Sequence, residues 1–173
     1  MRILTILDDA EDRRQLREIL GAAHTVVEVL DAARAESALS GDEPIDLLFI
    51  DQPNLEELAQ NLRFMREQDH PLFIPVVFVT REDAKATERW IWDEVDELIT
   101  SPIIANELET RVSTLLRTRR LSRLAHAELH QIIDSAGSAM CVVGTDRKVR
   151  RVNASFARLV GQDAARIKGR RVP

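Results

Sequence analysis

The sequence predicts an α/β protein: a five-stranded, doubly wound parallel sheet, then one long helix, then the opening of a smaller α+β unit. Three observations carry this expectation. Short runs that are apolar on both faces alternate with helical stretches through the first hundred residues, the pattern of a parallel sheet covered on both sides. From Ala105 to about Ser135 the chain holds neither Gly nor Pro. The charge also changes sign, since residues 1–100 carry 10 Lys/Arg against 23 Asp/Glu and residues 101–173 carry 14 against 6. Two segments of opposite sign suggest two functional units.

Arg2–Leu7 reads as the first buried strand. Glu11–Leu20 follows as a helix with Leu16, Ile19 and Leu20 on one face, stopped at Gly21. Thr25–Val29 is the second strand, Ala32–Leu39 a short helix, and Ile45–Ile50 the third strand, running into Asp51. Leu55, Leu58 and Leu62 give the next helix its buried stripe. Ile74–Val79 is the fourth strand, Asp83–Asp93 a helix and Glu97–Thr100 the fifth strand.

The long helix carries Leu108, Val112, Leu115 and Leu116, a stripe suited to packing on the sheet. Beyond Arg117–Arg120 the stripe resumes in a new register as Leu121, Leu124 or Ala125, Leu129 and Ile132. A helix that leaves one domain and pairs with another helix would show that shift, because an unpartnered stripe would stay wet. The last segment offers strands Met140–Val143 and Lys148–Val152, a helix capped by Asn153 and stopped by Gly161, and a helical turn from Asp163 to Lys168. Two strands and two short helices cannot enclose a core, so the chain is expected to stop inside a second domain. The expected division is 1–116, a linker helix or coiled coil over 117–135, and 136–173.

The composition, with 45% hydrophobic and 31% charged residues, argues against disorder, collagen-like repeats and a disulfide scaffold. The longest uncharged apolar runs, such as Pro71–Thr80, fall far short of the roughly 20 residues a membrane helix needs. No signal peptide is legible, and the single cysteine, Cys141, fits a reducing cytoplasm, which is the expected location. The acidic first segment is a poor nucleic-acid binder, and no direct nucleic-acid contact is expected.

In a doubly wound sheet the site lies at the carboxyl ends of the strands. Those ends carry Asp8 and Asp9, Asp51, Thr80 and Ser101. Three converging carboxylates repel one another unless a hard cation sits among them, and an oxygen-only set suits Mg²⁺. An aspartate beside Mg²⁺ can attack a phosphoryl group and become an aspartyl phosphate. Asp8 or Asp9 could instead serve only as a helix cap, but a cap needs one acid and leaves Asp51 unexplained.

The stretches Ile6-Leu7-Asp8-Asp9, Leu47–Asp51, Val76–Thr80 and Asp96–Pro102 resemble the receiver domain of two-component response regulators over residues 1 to about 120. The resemblance implies strand order 2-1-3-4-5, as in flavodoxin-like folds, with Asp51 as phosphoacceptor. It implies direct Mg²⁺ ligation by Asp9 and Asp51, by Asp8 through water, and by the backbone carbonyl of Pro53. It also implies a histidine kinase or phosphotransfer protein as partner, and often a cis peptide before Pro102. Departures accompany the matches. Ser101 stands where the family has a lysine, Arg81 follows Thr80 where a small residue is usual, and Leu98 replaces the switch aromatic. The loop after Asp51, Gln52-Pro53-Asn54, is expected to be short. Arg81 could supply the missing positive charge from a neighbouring position.

Residues Ser138–Val143, Asp146–Val152, Asn153–Gly161 and Asp163–Gly169 are similar to the start of a PAS sensory domain. Val172 stands where the flavin-photosensing subclass has its reactive cysteine, so cysteinyl-adduct photochemistry is not expected. The resulting expectation is a signalling protein in which phosphorylation of Asp51 biases the face around the fourth and fifth helices. The long helix would relay that bias as a change of packing in a homodimer formed through 117–135. The output unit would lie beyond this chain, as a histidine kinase, nucleotide cyclase or DNA-binding unit. The alternative is a degenerate receiver acting as a phosphorylation-independent dimerisation module. An aspartate-nucleophile phosphatase fits less well, because such enzymes want Asp-x-Asp and here the acids are adjacent.

Other features have plain readings. Trp90 and Trp92, two apart on a helix, cannot share a face. His126 and His130 have the spacing of a metal pair but no third ligand, and read as a solvated helix face. The basic run Arg117–Arg123 has no interleaved aromatics and reads as a solvated coiled-coil flank.

Overall fold

Strands β1 (Arg2–Ile6), β2 (Thr25–Val29), β3 (Leu47–Ile50), β4 (Val76–Arg81) and β5 (Glu97–Ser101) form one parallel sheet of order β2-β1-β3-β4-β5. The structure is a computed structural model describing residues 1–41, 43–68, 74–81 and 89–172, without the side chains of 65–68, 89, 90 and 92. The crossovers are helices α1 (Ala10–Leu20), α2 (Ala32–Leu39), α3 (Gln52–Gln68) and α4 (Arg89–Glu94), and α5 (Ala105–Ser135) follows β5. This is the expected doubly wound fold. Residues Asp83–Glu88 of the expected fourth helix, and the side chains of Trp90 and Trp92, lie outside the described residues.

Each central strand buries both faces. Leu4, Ile6, Leu48, Ile50, Val76 and Phe78 point towards Ala35, Leu55, Leu58 and Ile91 of α2, α3 and α4. Their alternates Ile3, Leu47, Phe49, Val77, Val79 and Ile99 pack on Leu16 and Leu20 of α1 and Leu108, Val112 and Leu116 of α5. The period-two alternation of strands thus feeds two cores from one sheet. Strand β4 starts two residues later than expected, because Pro75 has no N–H to donate to the ladder.

The chain divides into two compact units, Met1–Arg123 and Leu124–Pro173. In the first, the basic run on α5 is only in part the solvated flank expected: Arg117 and Arg120 are exposed, while Arg119 and Arg123 are engaged. Arg119 is buried at 5% exposure, and its Nη2 donates to the Ile45 carbonyl at 3.4 Å. Arg123 Nη1 lies 2.9 Å from Asp46 Oδ1, while Asp46 Oδ2 accepts the Arg2 amide at 3.0 Å. The buried Asp46 carboxylate thereby ties α5 to the start of β1. Outside these contacts Leu121, Leu124, Leu129 and Ile132 are 50–66% exposed.

In the second unit, β6 (Cys141–Val143) and β7 (Val149–Val152) pair antiparallel, followed by α6 (Ala154–Val160) and α7 (Ala164–Ile167). Val149, Val152 and Ile167 form a small core with Phe156, Cys141 and Val172 against it. The expected Asn153 cap is present, its Oδ1 accepting from Phe156 N at 2.9 Å, and Gly161 closes α6 in the left-handed region at φ 68°. Asn153 does more than cap. Fully buried, it also accepts from Met140 N at 2.9 Å and donates to the carbonyls of Ile133 at 3.0 Å and Ser138 at 2.9 Å. Arg151 Nη2 donates to the His130 carbonyl at 3.2 Å and lies 3.4 Å from Asp134. The last turns of α5 are therefore fastened to β7 by two side chains.

Candidate functional site

Strand β1 delivers Asp8 and Asp9 to the carboxyl edge of the sheet, and β3 delivers Asp51 beside them. The amide of Asp8 donates to Asp51 Oδ2 at 2.6 Å. Asn54 bridges the two acids, its Nδ2 donating to Asp51 Oδ1 at 2.6 Å and to Asp8 Oδ1 at 3.1 Å. The parallel register β4–β5 sets Thr80 beside Thr100 and Arg81 beside Ser101. All the expected residues therefore lie at one end of the sheet.

The residues expected as a loop after Asp51 are instead the first turn of α3, which begins at Gln52. Leu55 N donates to the Asp51 carbonyl at 2.9 Å and Asn54 N approaches Asp51 Oδ1 at 3.4 Å, so Asp51 itself caps that helix. The amide-rich end of a helix favours negative charge placed there. Pro53 sits in that turn, where helical carbonyls accept from the amide four residues on. Asn54 is a residue of this cluster that the sequence did not announce; its spacing three after Asp51 is the signal that could have found it.

Asp9 is engaged twice. Its Oδ1 caps α1, accepting from Glu11 N at 2.9 Å and Asp12 N at 3.0 Å, and its Oδ2 meets Arg81 Nη2 at 2.5 Å. The Asp12 amide bond, with that of Glu11 and the Arg81 guanidinium, holds the Asp9 carboxyl below its ordinary value despite some desolvation. The expected positive charge on Arg81 is present, then, but it is directed to Asp9. Ser101 Oγ donates to Asp12 Oδ1 at 2.7 Å, and Asp12 is buried on α1. Arg13 Nη1 donates to the carbonyls of Leu7 at 2.5 Å and Asp8 at 2.9 Å, bracing the turn that carries the acids. Neither Asp12 nor Arg13 was singled out in the sequence, since both act through contacts that only the fold creates. The Thr80 hydroxyl makes a long contact to the Arg81 carbonyl at 3.4 Å. The Ser101–Pro102 peptide is cis, as the resemblance implied.

The oxygen-only donors suit a hard cation. Among the described residues, however, no three His, Cys, Asp or Glu side chains are already gathered to hold a metal ion. A cation would have to draw Asp9 away from Arg81. In the second unit, Cys141, Val143, Val149, Phe156, Ile167 and Val172 line an apolar hollow of about 440 Å³. No described helix is long and apolar enough to cross a membrane.

A five-stranded 2-1-3-4-5 sheet with acids at its carboxyl edge is the architecture of a response-regulator receiver domain, and comparison with known proteins agrees. The chain is similar to NtrX from Brucella abortus in complex with ADP, at 27% identity and a TM-score of 0.60, covering 83% of this chain and 31% of that one. The chain thus matches under a third of the NtrX length. It also resembles a protein described as a response regulator from Chloroflexus aurantiacus (22% identity, TM-score 0.56, 67% of this chain and 97% of that one). A third likeness is to a protein described as the signal receiver domain of a Luxo repressor from Vibrio parahaemolyticus (19%, 0.58, 72% and 95%). These last two speak to the fold alone. Residues 127–173 match the PAS domain family model, so a receiver-like fold is followed by a segment similar to a PAS domain. No curated protein matches it in sequence.

Proposed function

We propose that this chain is the input half of a two-component signalling protein, with Asp51 as phosphoacceptor and α5 relaying its state to the PAS segment. The observation that carries this reading is the Asp51 carboxylate itself. It stands at the carboxyl end of β3, caps α3, and is held by the Asp8 amide at 2.6 Å and Asn54 Nδ2 at 2.6 Å. In the reaction a carboxylate oxygen of Asp51 bonds to the donor's phosphorus as the donor's own bond to phosphorus breaks and takes the electron pair with it. The donor would be a histidine kinase or phosphotransfer protein.

Asp8, Asp9 and Asp51 are the residues that would hold Mg²⁺, with the Pro53 carbonyl joining them only through the lone pair that the α3 ladder leaves it; when bound the ion supplies positive charge to the phosphoryl oxygens. The chain's own residues do the rest. Asn54 and the Asp8 amide orient the Asp51 carboxylate, and the start of α3 favours added negative charge. Thr80 offers a hydroxyl, and Ser101 offers one only if it leaves Asp12. The exposed Leu121, Leu124, Leu129 and Ile132 support a homodimer with a second copy of this chain through residues 117–135. Light scattering at tens of micromolar checks it, and a monomeric mass would contradict it.

A degenerate module that signals without phosphate is the second reading. It is favoured by the Arg81–Asp9 and Ser101–Asp12 contacts: among the described residues Asp51 is met by the Asp8 amide and Asn54 and by no cation. Intact mass after incubation with Mg²⁺ and a small-molecule phosphodonor separates the two. An adduct in the wild type and none in Asp51→Asn supports the first reading; no adduct in either supports the second.

A further inference from the structure

The described residues hold one pair of imidazoles in contact, and nothing in the receiver chemistry uses it. His126 and His130 stand one turn apart on α5, both half-buried, within the second unit. Their Nε2 atoms approach to 2.8 Å while the ring centroids are 3.9 Å apart and the planes are tilted by 50°. The rings therefore splay from a closed end formed by two nitrogens, not by stacked faces. Two imidazole nitrogens bound at right angles to one ion at about 2.0–2.1 Å would be about 2.9 Å apart. The nitrogens already stand close to that spacing, and for both lone pairs to meet one ion the centroids would open from 3.9 Å to about 4.5 Å, a small side-chain rotation.

We propose that His126 and His130 form a two-nitrogen site for a late first-row dication, such as Cu²⁺, Ni²⁺ or Zn²⁺, with the remaining positions filled by water. The donors set the class of ligand, because neutral imidazoles suit these metals and not Mg²⁺, which prefers oxygen. The surroundings set its strength. Arg151 Nη2 is held by the His130 carbonyl at 3.2 Å and lies 3.4 Å from Asp134, and with Lys168 it adds positive charge near His130. Among the described residues Asp134 is the acid whose charge acts on His130, and it is already shared with Arg151. The site is thus a modest binder that leaves open coordination positions. Hydrolytic chemistry of the zinc-protease kind is not implied, since Ala127 stands where that motif places its glutamate.

An ion held across one turn would brace the stretch of α5 that Arg151 and Asn153 fasten to β7, making it an input separate from Asp51. The test is isothermal titration of the whole chain with CuCl₂, NiCl₂ and ZnCl₂, beside His126→Gln and His130→Gln. Expected are one ion per wild-type chain, Cu²⁺ the tightest, and at least about tenfold weaker binding in each variant. Helical content of both variants, read by circular dichroism, confirms that they fold. No binding by the wild type overturns the proposal, leaving the contact as an imidazole–imidazole hydrogen bond. Binding unchanged in both variants overturns it equally, placing the ion elsewhere, and Asp51→Asn in the same titration then reports whether the acidic crevice holds it.

Discussion

Replacing Asn153 by alanine is expected to destabilise the second unit by about 3–4 kcal/mol. The side chain is fully buried and uses both ends. Its oxygen accepts from Phe156 N and Met140 N, each at 2.9 Å, and its nitrogen donates to the Ile133 carbonyl at 3.0 Å and the Ser138 carbonyl at 2.9 Å. Losing a helix cap costs about 1 kcal/mol. Each of the other three bonds costs about 1 kcal/mol, and more where the partner stays buried and dry. Asn153→Asp sharpens the test. As a helix cap Asp equals Asn, but here it would aim a carboxylate oxygen at two carbonyls in a buried site, so it should destabilise at least as much as alanine. Urea denaturation gives the free energies. Amide exchange over 129–135 and 141–143 shows whether the end of α5 loosens together with β6. A fully stable Asn153→Asp variant would refute the argument and reduce Asn153 to an ordinary cap.

Arg63→Ala strands the buried Glu94, whose ion-pair partner it is. The exposed Arg63 end limits the loss to about 2 kcal/mol, measurable by urea denaturation. Arg81→Ala frees Asp9 from an ion pair that is open to solvent and worth at most about 1 kcal/mol, so Mg²⁺ titration should show affinity raised by up to about fivefold. His24 has its value lowered by burial first and by the N-terminal ammonium second, and among the described residues its buried Nδ1 has no hydrogen-bond partner. Its neutral form therefore belongs to the fold, and stability intact above the usual histidine value falls as pH drops through it towards the lowered folded value. Melting temperatures between pH 7.5 and 5 should fall less in His24→Gln.

The sheet was legible because every central strand is apolar on both faces, so Leu4 and Ile3, or Phe78 and Val77, announce two cores at once. Strand ends were less so. Pro75 delays β4, and α3 starts directly at Gln52 where a loop was expected. In the candidate site, the positions of Asp8, Asp9, Asp51, Thr80, Arg81 and Ser101 could be read from strand ends, while their pairings could not. Asp9 meets Arg81 across 72 residues and Ser101 meets Asp12 across 89. Such contacts depend on how helices lie over the sheet, which local periodicity does not encode. Arg119 and Arg123 show the same limit: by composition they are a solvated basic run, and in the fold they hold Ile45 and Asp46.

The central claim is that the state of Asp51 is felt along α5. Amide hydrogen exchange of the whole chain, with Mg²⁺ and a small-molecule phosphodonor, tests it most directly when wild type is run beside Asp51→Asn. The account predicts altered protection in Val76–Arg81, Glu97–Ser101 and the length of α5, in the wild type alone. Unchanged exchange in a wild type whose mass shows the phosphoryl adduct would contradict it.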